Sequence, residues 1–143
     1  MKKIINSTVS VVLALMCILS LTACGNTVEK TGLWESATYL KDTEFGKGEK
    51  TINVEVKAEE KTVTFTVNTD KETVGDALIE HNLIDGEDGD YGLYIKVVNG
   101  ITADYDVDKS YWAFYIDGEY AMTGADVTPV TAGAEYTFAV EKG

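Results

Sequence analysis

The decapeptide Tyr111–Tyr120 (YWAFYIDGEY) combines a strict alternation of side chains with a definite turn signal. Every second position of its first half is large and apolar: Trp112, Phe114 and Ile116. Because alternate side chains of a strand point to opposite faces, these three are predicted to face a core. Asp117-Gly118 then supplies the residues of positive φ that a two-residue type I′ hairpin requires. The sequence therefore predicts a hairpin at the centre of a small β-rich domain.

The tyrosines of the same hairpin are predicted to lie on its other side. Tyr111 and Tyr115 alternate with the apolar set, and Tyr120 follows the turn. Tyrosine offers flat apolar area with a polar tip, which suits a contact surface. Ordinary cross-strand cover of a sheet face is the alternative for these three residues. Trp112 completes the set of candidate ligand-binding residues, with core packing as its alternative.

The first 24 residues have the pattern of a bacterial lipoprotein signal. Lys2-Lys3 precedes an apolar run from Val9 to Leu21, which is shorter than the roughly 20 residues that span a bilayer. Leu-Thr-Ala then stands directly before Cys24, as in a lipobox. We therefore expect a signal peptide over residues 1–23 and lipidation at Cys24. The mature protein would be anchored in a bacterial cell membrane and face the extracellular side.

Charge and cysteine content narrow the class of partner. The chain carries 12 basic and 24 acidic residues, and loss of Lys2 and Lys3 with the signal peptide would bring the net charge from −12 to −14. Such a polyanion, which contains no Arg, is a poor candidate for binding nucleic acid or anionic lipid directly. Cys17 lies within the predicted signal peptide and Cys24 would carry lipid, so no disulfide is expected.

The rest of the chain predicts an α+β domain. Residues 24–50 show no steady period and are expected to form a tether and a docking segment, with Trp34 buried somewhere. Residues 51–143 show period-two strands around a helical stretch that begins at the N-cap Thr73. The acidic, glycine-punctuated stretch 85–90 is interpreted as a loop. We expect a β-grasp-like mixed sheet of about five strands with one helix packed across it.

Signals for catalysis and for metal binding are weak. His81 falls on the apolar stripe of the predicted helix, where a metal ligand and a partly buried helix-end residue are the alternatives. Asp104, Asp106 and Asp108 begin like a calcium loop, but Lys109 stands where that loop needs Gly. No catalytic motif is present. We therefore expect no enzyme activity, no catalytic or metal-binding residues and no resident cofactor.

The order of these motifs is similar to that of the transcobalamin-like C-terminal domain family, whose bacterial members are commonly surface lipoproteins. The resemblance covers residues 51–142 and rests on Thr73–Leu78, Tyr111–Gly118, Gly124 and Gly133–Glu135. Asp117 replaces the usual Asn of the hairpin turn and preserves its chemistry. In animal vitamin B12 carriers, the related domain closes over one face of cobalamin beside a large helical domain. The resemblance thus implies a β-grasp-like fold and a corrinoid as a candidate ligand, held weakly or together with a second protein.

Two functions follow as hypotheses. The first is a lipid-anchored extracellular binding module that contacts cobalamin, another corrinoid or another small ligand through the aromatic hairpin. The second is a cell-surface interaction or adhesion module without a small-molecule ligand, which pairs an exposed sheet edge with a partner surface protein or a transporter.

Overall fold

A computed structural model describes residues 27–143. The predicted signal peptide (1–23) and the lipidation site Cys24 lie outside the described residues. Within the described range, the strands are β1 (Thr43–Phe45), β2 (Lys50–Ala58), β3 (Lys61–Thr69), β4 (Ile84–Gly89), β5 (Gly92–Val98), β6 (Ile101–Thr102), β7 (Ser110–Ile116), β8 (Glu119–Tyr120) and β9 (Glu135–Lys142). The helices are α1 (Val74–Ile79) and α2 (Tyr105–Asp108), with 3₁₀ turns at Gly32–Ser36 and Ala125–Val127.

The strands form two sheets. A six-stranded mixed sheet has the order β1-β3-β2-β9-β7-β8, and a three-stranded antiparallel sheet has the order β4-β5-β6. The two central strands of the larger sheet, β2 and β9, run parallel, and β3 and β7 flank them antiparallel. The segment between β3 and β9 contains α1 and the small sheet. Apolar side chains of α1 and of the small sheet join the core of the large sheet.

The expectation of an α+β domain with a mixed sheet is confirmed, but the count of about five strands and one helix is wrong. Residues 84–89 form β4 rather than a loop, because β5 pairs with them through a bulge after Asp85. A short edge strand, β1, lies in the stretch without a steady period. Asp104 caps the extra helix α2 by accepting a hydrogen bond from the Asp106 N–H at 3.0 Å.

Local signals of the chain explain the elements that surround the hairpin. Asp117 and Gly118 adopt φ values of 49° and 84°, as a type I′ turn requires. Thr73 caps α1 by accepting a hydrogen bond from the Asp76 N–H at 3.2 Å. On the core face of the large sheet, every second side chain of β2 and β3 is buried. The predicted helix is shorter than its apolar stripe suggested, since α1 ends at Ile79.

The segment before β2 packs against the domain. The indole of Trp34 is fully buried, and its Nε1–H donates to the Ala58 carbonyl at 2.9 Å. The buried Asn99 side chain accepts from the Tyr39 N–H at 2.9 Å and donates to the Tyr39 carbonyl at 2.8 Å. The domain boundary at residue 50 stays a prediction. No helix within residues 27–143 has the length and apolar character to cross a membrane.

Candidate functional site

The two faces of β7 differ only in part as the alternation predicts, since Phe114 and Ile116 are partly buried rather than fully buried. Trp112 is only 8% exposed, and its Nε1–H lies 3.2 Å from both the Lys96 and the Ile101 carbonyl oxygens, which belong to the small sheet. Trp112 therefore ties the two sheets together and does not lie beside the tyrosines. On the opposite face, Tyr111 and Tyr115 are half-buried, and Tyr120 is 59% exposed.

One carboxylate holds the tyrosines in place. The Tyr111 hydroxyl donates to Glu141 Oε2 at 3.2 Å, and the Tyr115 hydroxyl donates to Glu141 Oε1. The ring of Tyr120 meets that of Tyr115 edge to face, with centroids 5.6 Å apart and an interplanar angle of 88°. Both contacts follow from register, because β7 places Tyr111 opposite Glu141 and Tyr115 opposite Tyr120. We call Tyr111, Tyr115, Tyr120 and Glu141 the tyrosine face.

The charge of Glu141 changes the acidity of both phenols. The hydrogen bond to Glu141, with desolvation and the carboxylate charge, raises the pKa of Tyr115 to about 12. Desolvation, followed by the hydrogen bond and charge of Glu141, raises the pKa of Tyr111. Both rings are therefore neutral hydrogen-bond donors at neutral pH.

Removing the carboxylate charge should make Tyr115 more acidic. We expect Glu141→Gln to lower the pKa of Tyr115 from about 12 toward the ordinary value of 10.0, because the amide carries no charge and holds the phenol proton less firmly. Ultraviolet absorbance of tyrosinate, recorded during an alkaline titration, measures this change. Glu49→Gln, at an exposed position before the opposite end of β2, is the matched control. An unchanged alkaline titration in Glu141→Gln would contradict a hydrogen bond from Tyr115 to the Glu141 carboxylate.

A shallow groove of about 320 Å³ runs beside Tyr115. It is lined by Lys57, Tyr115, Gly118, Glu135, Thr137, Ala139 and Glu141. Thr137 and Ala139 are small residues between Glu135 and Glu141 on one face of β9. The neighbouring Glu55 carboxylate accepts a hydrogen bond from the protonated form of Glu135, and this bond and the charge of Glu55 raise the pKa of Glu135. Lys57 pairs with Glu55 at 3.2 Å.

Sequence reasoning missed three members of this surface. Glu141 and Glu135 look like ordinary solvent-facing residues of the last strand, and only the pairing of β9 with β7 and β2 brings them to the tyrosines and Glu55. Tyr105 opens α2, is 42% exposed and has the Lys109 Nζ 4.8 Å from its ring centroid. Tyr105 and Tyr120 each make a minor electrostatic contribution to the raised pKa of Tyr111, so both lie within electrostatic range of Tyr111.

The other sequence candidates lie elsewhere. His81 follows α1, its Nε2 is buried without a hydrogen-bond partner among the described residues, and Glu80 Oε2 is 3.9 Å away. The Asp104 side chain caps α2, and Asp108 accepts hydrogen bonds from Ser110, so neither is free for a calcium loop. Over residues 27–143, no three His, Cys, Asp or Glu side chains converge as metal ligands would.

Comparisons with known proteins place the chain among domains of similar build. A protein-family model described as a domain of unknown function, DUF4430, matches residues 71–142. A Ruminococcus gnavus ATCC 29149 protein, provisionally described as a metal binding protein, is 38% identical, with a TM-score of 0.63 over 66% of this chain and 99% of its own. Haptocorrin in complex with Cbi is 22% identical, with a TM-score of 0.54, and shares the fold over 68% of this chain. That match spans 26% of the haptocorrin chain. No curated protein matches.

Proposed function

The chain belongs to the DUF4430 domain family, and from that premise we propose that it is an extracellular ligand-binding module that uses its tyrosine face. The observation that carries the proposal is the clamp of Tyr111 and Tyr115 on one carboxylate, Glu141. A clamp of this kind holds aromatic surface in one arrangement before a ligand arrives, which reduces the entropy lost on binding. Tyr111, Tyr115 and Tyr120 are the residues proposed to contact the ligand.

A corrinoid is the first ligand to test. Haptocorrin, whose structure contains Cbi, shares the fold, and the strand order with two central parallel strands supports the β-grasp-like description that the transcobalamin-like resemblance implies. The groove of about 320 Å³ is open and lies at the small end of the range for ligand sites. We therefore propose that a second protein covers the remaining surface of a ligand as large as a corrinoid.

A metal ion is the weaker candidate. The Ruminococcus gnavus protein is provisionally described as metal binding. In the described part of this chain, however, no three ligating side chains converge, and the carboxylate of Glu141 accepts from two phenols. These residues do not fit a metal site, so we propose no role for a metal. We also retain three proposals from the sequence: lipid anchoring at Cys24, location at the cell membrane facing the extracellular side, and lack of enzyme activity.

The alternative, an interaction module without a small ligand, depends on open sheet edges. The outer strands of the large sheet, β1 and β8, are three and two residues long, which is typical of edges protected against pairing with other chains. The six-residue strand β4 pairs only with β5 among the described strands and is the better edge for a partner strand. It carries Asp85, Glu87 and Asp88, which favour a basic partner.

Calorimetric titration of the purified protein with cobalamin tests the proposed function. We expect measurable heat from the wild type and at least a tenfold weaker affinity in the double variant Tyr115→Ala, Tyr120→Ala, as for loss of a binding hot spot. Tyr91→Ala, a fully exposed tyrosine in the β4–β5 turn, is the control and should bind like the wild type. Equal affinity in all three proteins would contradict a site on the tyrosine face. Heat from binding of a basic peptide at β4, with no heat from cobalamin, would favour an interaction module without a small ligand.

A further inference from the structure

The groove beside Tyr115 combines an aromatic wall with acidic ends. Thr137 and Ala139 belong to its lining, and their short side chains leave room beside the Tyr115 ring. Glu135 and Glu141 stand six residues apart on the same face of β9, roughly 20 Å along the strand. The ring of Tyr120 braces Tyr115 from its other side at 88°. A ligand beside the Tyr115 ring therefore meets that phenol and the Glu141 carboxylate to which it donates.

Hydrogen bonding makes the Tyr115 ring a better partner for positive charge. The face of an aromatic ring carries the negative part of its quadrupole and attracts cations. The Tyr115 hydroxyl donates to an ionised carboxylate, Glu141, and so shifts electron density from the O–H bond toward the ring. The same hydrogen bond fixes the ring, so that a cation finds the face already in place.

The charges around the groove also favour a positively charged ligand. Glu55, Glu135 and Glu141 supply three acidic groups, whereas Lys57 is the basic group among the lining residues. The Glu55 carboxylate lies close to Glu135 and adds its negative charge to this side of the sheet. A net charge of −12 over the full sequence also attracts cations from solution and repels anions.

We infer that this groove binds an organic cation, with an alkylammonium group against the Tyr115 ring and its charge balanced by the adjacent Glu141 carboxylate. The inference rests on the proposed function, since it names the class of ligand for the tyrosine face. An alkylammonium group fits better than a metal ion, because its charge is spread over apolar surface that can pack on a ring. No convergent set of three metal ligands is found in residues 27–143.

The test compares choline with its uncharged carbon isostere, 3,3-dimethylbutan-1-ol, by calorimetry or tyrosine-ring NMR on the purified protein. The two probes have the same shape, so a difference between them measures the contribution of charge. We expect choline to bind at least about tenfold more tightly than the isostere, in line with a cation–π contact backed by a carboxylate. Equal affinities, or no binding of choline, would overturn the inference.

Two substitutions locate the binding. Tyr115→Leu removes the ring and Glu141→Gln removes the charge at equal size, and each is expected to weaken choline binding about fivefold or more. Glu49→Gln and Tyr91→Leu are controls of the same type and should leave the affinity unchanged. Circular dichroism establishes that each variant is folded. Unchanged choline affinity in the folded Glu141→Gln and Tyr115→Leu variants would overturn the inference.

The same titrations separate this inference from the proposed function. If cobalamin binds through Tyr115 and Tyr120 but choline does not bind, only the inference of an organic cation as the ligand is wrong. If choline binds and its affinity depends on Tyr115, both the face and the class of ligand are supported. If tyrosine-face variants leave the affinity for every bound probe unchanged, the proposed function fails as well.

Discussion

Replacing Trp34 by alanine is expected to lower the free energy of unfolding by about 3 to 5 kcal/mol, the range for loss of a buried tryptophan. The indole is fully buried in the hydrophobic core, so truncation leaves a cavity, and the Ala58 carbonyl loses its hydrogen bond from Nε1. Domains of this size are stable by only about 5 to 15 kcal/mol. Denaturant unfolding, followed by circular dichroism, should therefore show a much earlier midpoint.

Leu33→Ala is the matched control for this substitution. Leu33 is the neighbour of Trp34 in the same 3₁₀ turn but is 37% exposed, so a loss of about 1 kcal/mol or less is expected. If Trp34→Ala unfolds at the same denaturant concentration as Leu33→Ala, the segment 27–49 does not pack on the domain as described. A tether without contacts would give that result.

Trp112→Ala and Tyr115→Ala, three positions apart on β7, are expected to differ in how much they lower the free energy of unfolding. Trp112→Ala should cost about 3 to 5 kcal/mol of unfolding free energy, because the indole is buried and bonds to two carbonyls of the small sheet. Tyr115→Ala should lower the unfolding free energy by about 1 to 2 kcal/mol, since it removes a half-buried contact with Tyr120 and the hydrogen bond to Glu141. Paired denaturant titrations measure both values.

Ligand affinity should depend on Tyr115 and not on Trp112. Trp112→Phe keeps an aromatic core side chain and removes the indole N–H, so it should cost about 1 to 3 kcal/mol of stability and leave ligand affinity unchanged. Tyr115→Ala should weaken binding while the protein stays folded. Loss of affinity in folded Trp112→Phe, with none in Tyr115→Ala, would assign the ligand to the core side of β7.

Regular alternation and turn chemistry made the centre of the fold predictable. The type I′ turn at Asp117-Gly118, the N-cap Thr73 and the sidedness of Trp112 follow from local rules that tertiary packing reinforces. These signals are strong because residue type, spacing and conformation all favour the same structure.

The missed elements are those that depend on contacts far along the chain. The stretch that forms β4 is acidic and contains Gly86, a composition typical of loops, and β5 makes it a strand. Gly86 allows close approach at the bulge, since a Cβ there would lie 2.0 Å from the Tyr94 carbonyl oxygen. The strand β1 is three residues long and exists because β3 offers a parallel edge.

The candidate site was only partly predictable for the same reason. Alternation on one strand is enough to place Tyr111 and Tyr115 together. Glu141 lies 26 residues after Tyr115, and only the register of β7 with β9 brings its carboxylate to both phenols. The prediction that Tyr111, Tyr115, Tyr120 and Trp112 contact a ligand stays a prediction, and the buried position of Trp112 makes it the weakest member.

Amide chemical-shift mapping of the isotopically labelled protein tests the tyrosine face most directly, with cobalamin and choline as the added ligands. Shifts should concentrate on Tyr111, Tyr115, Tyr120 and residues 135–141 of β9. Amides that line the groove beside His81 (46–48 among them) and the groove beside Ile79 should show no change in chemical shift. Shifts confined to either of those grooves, with β7 and β9 unperturbed, would contradict a binding surface built on the tyrosines.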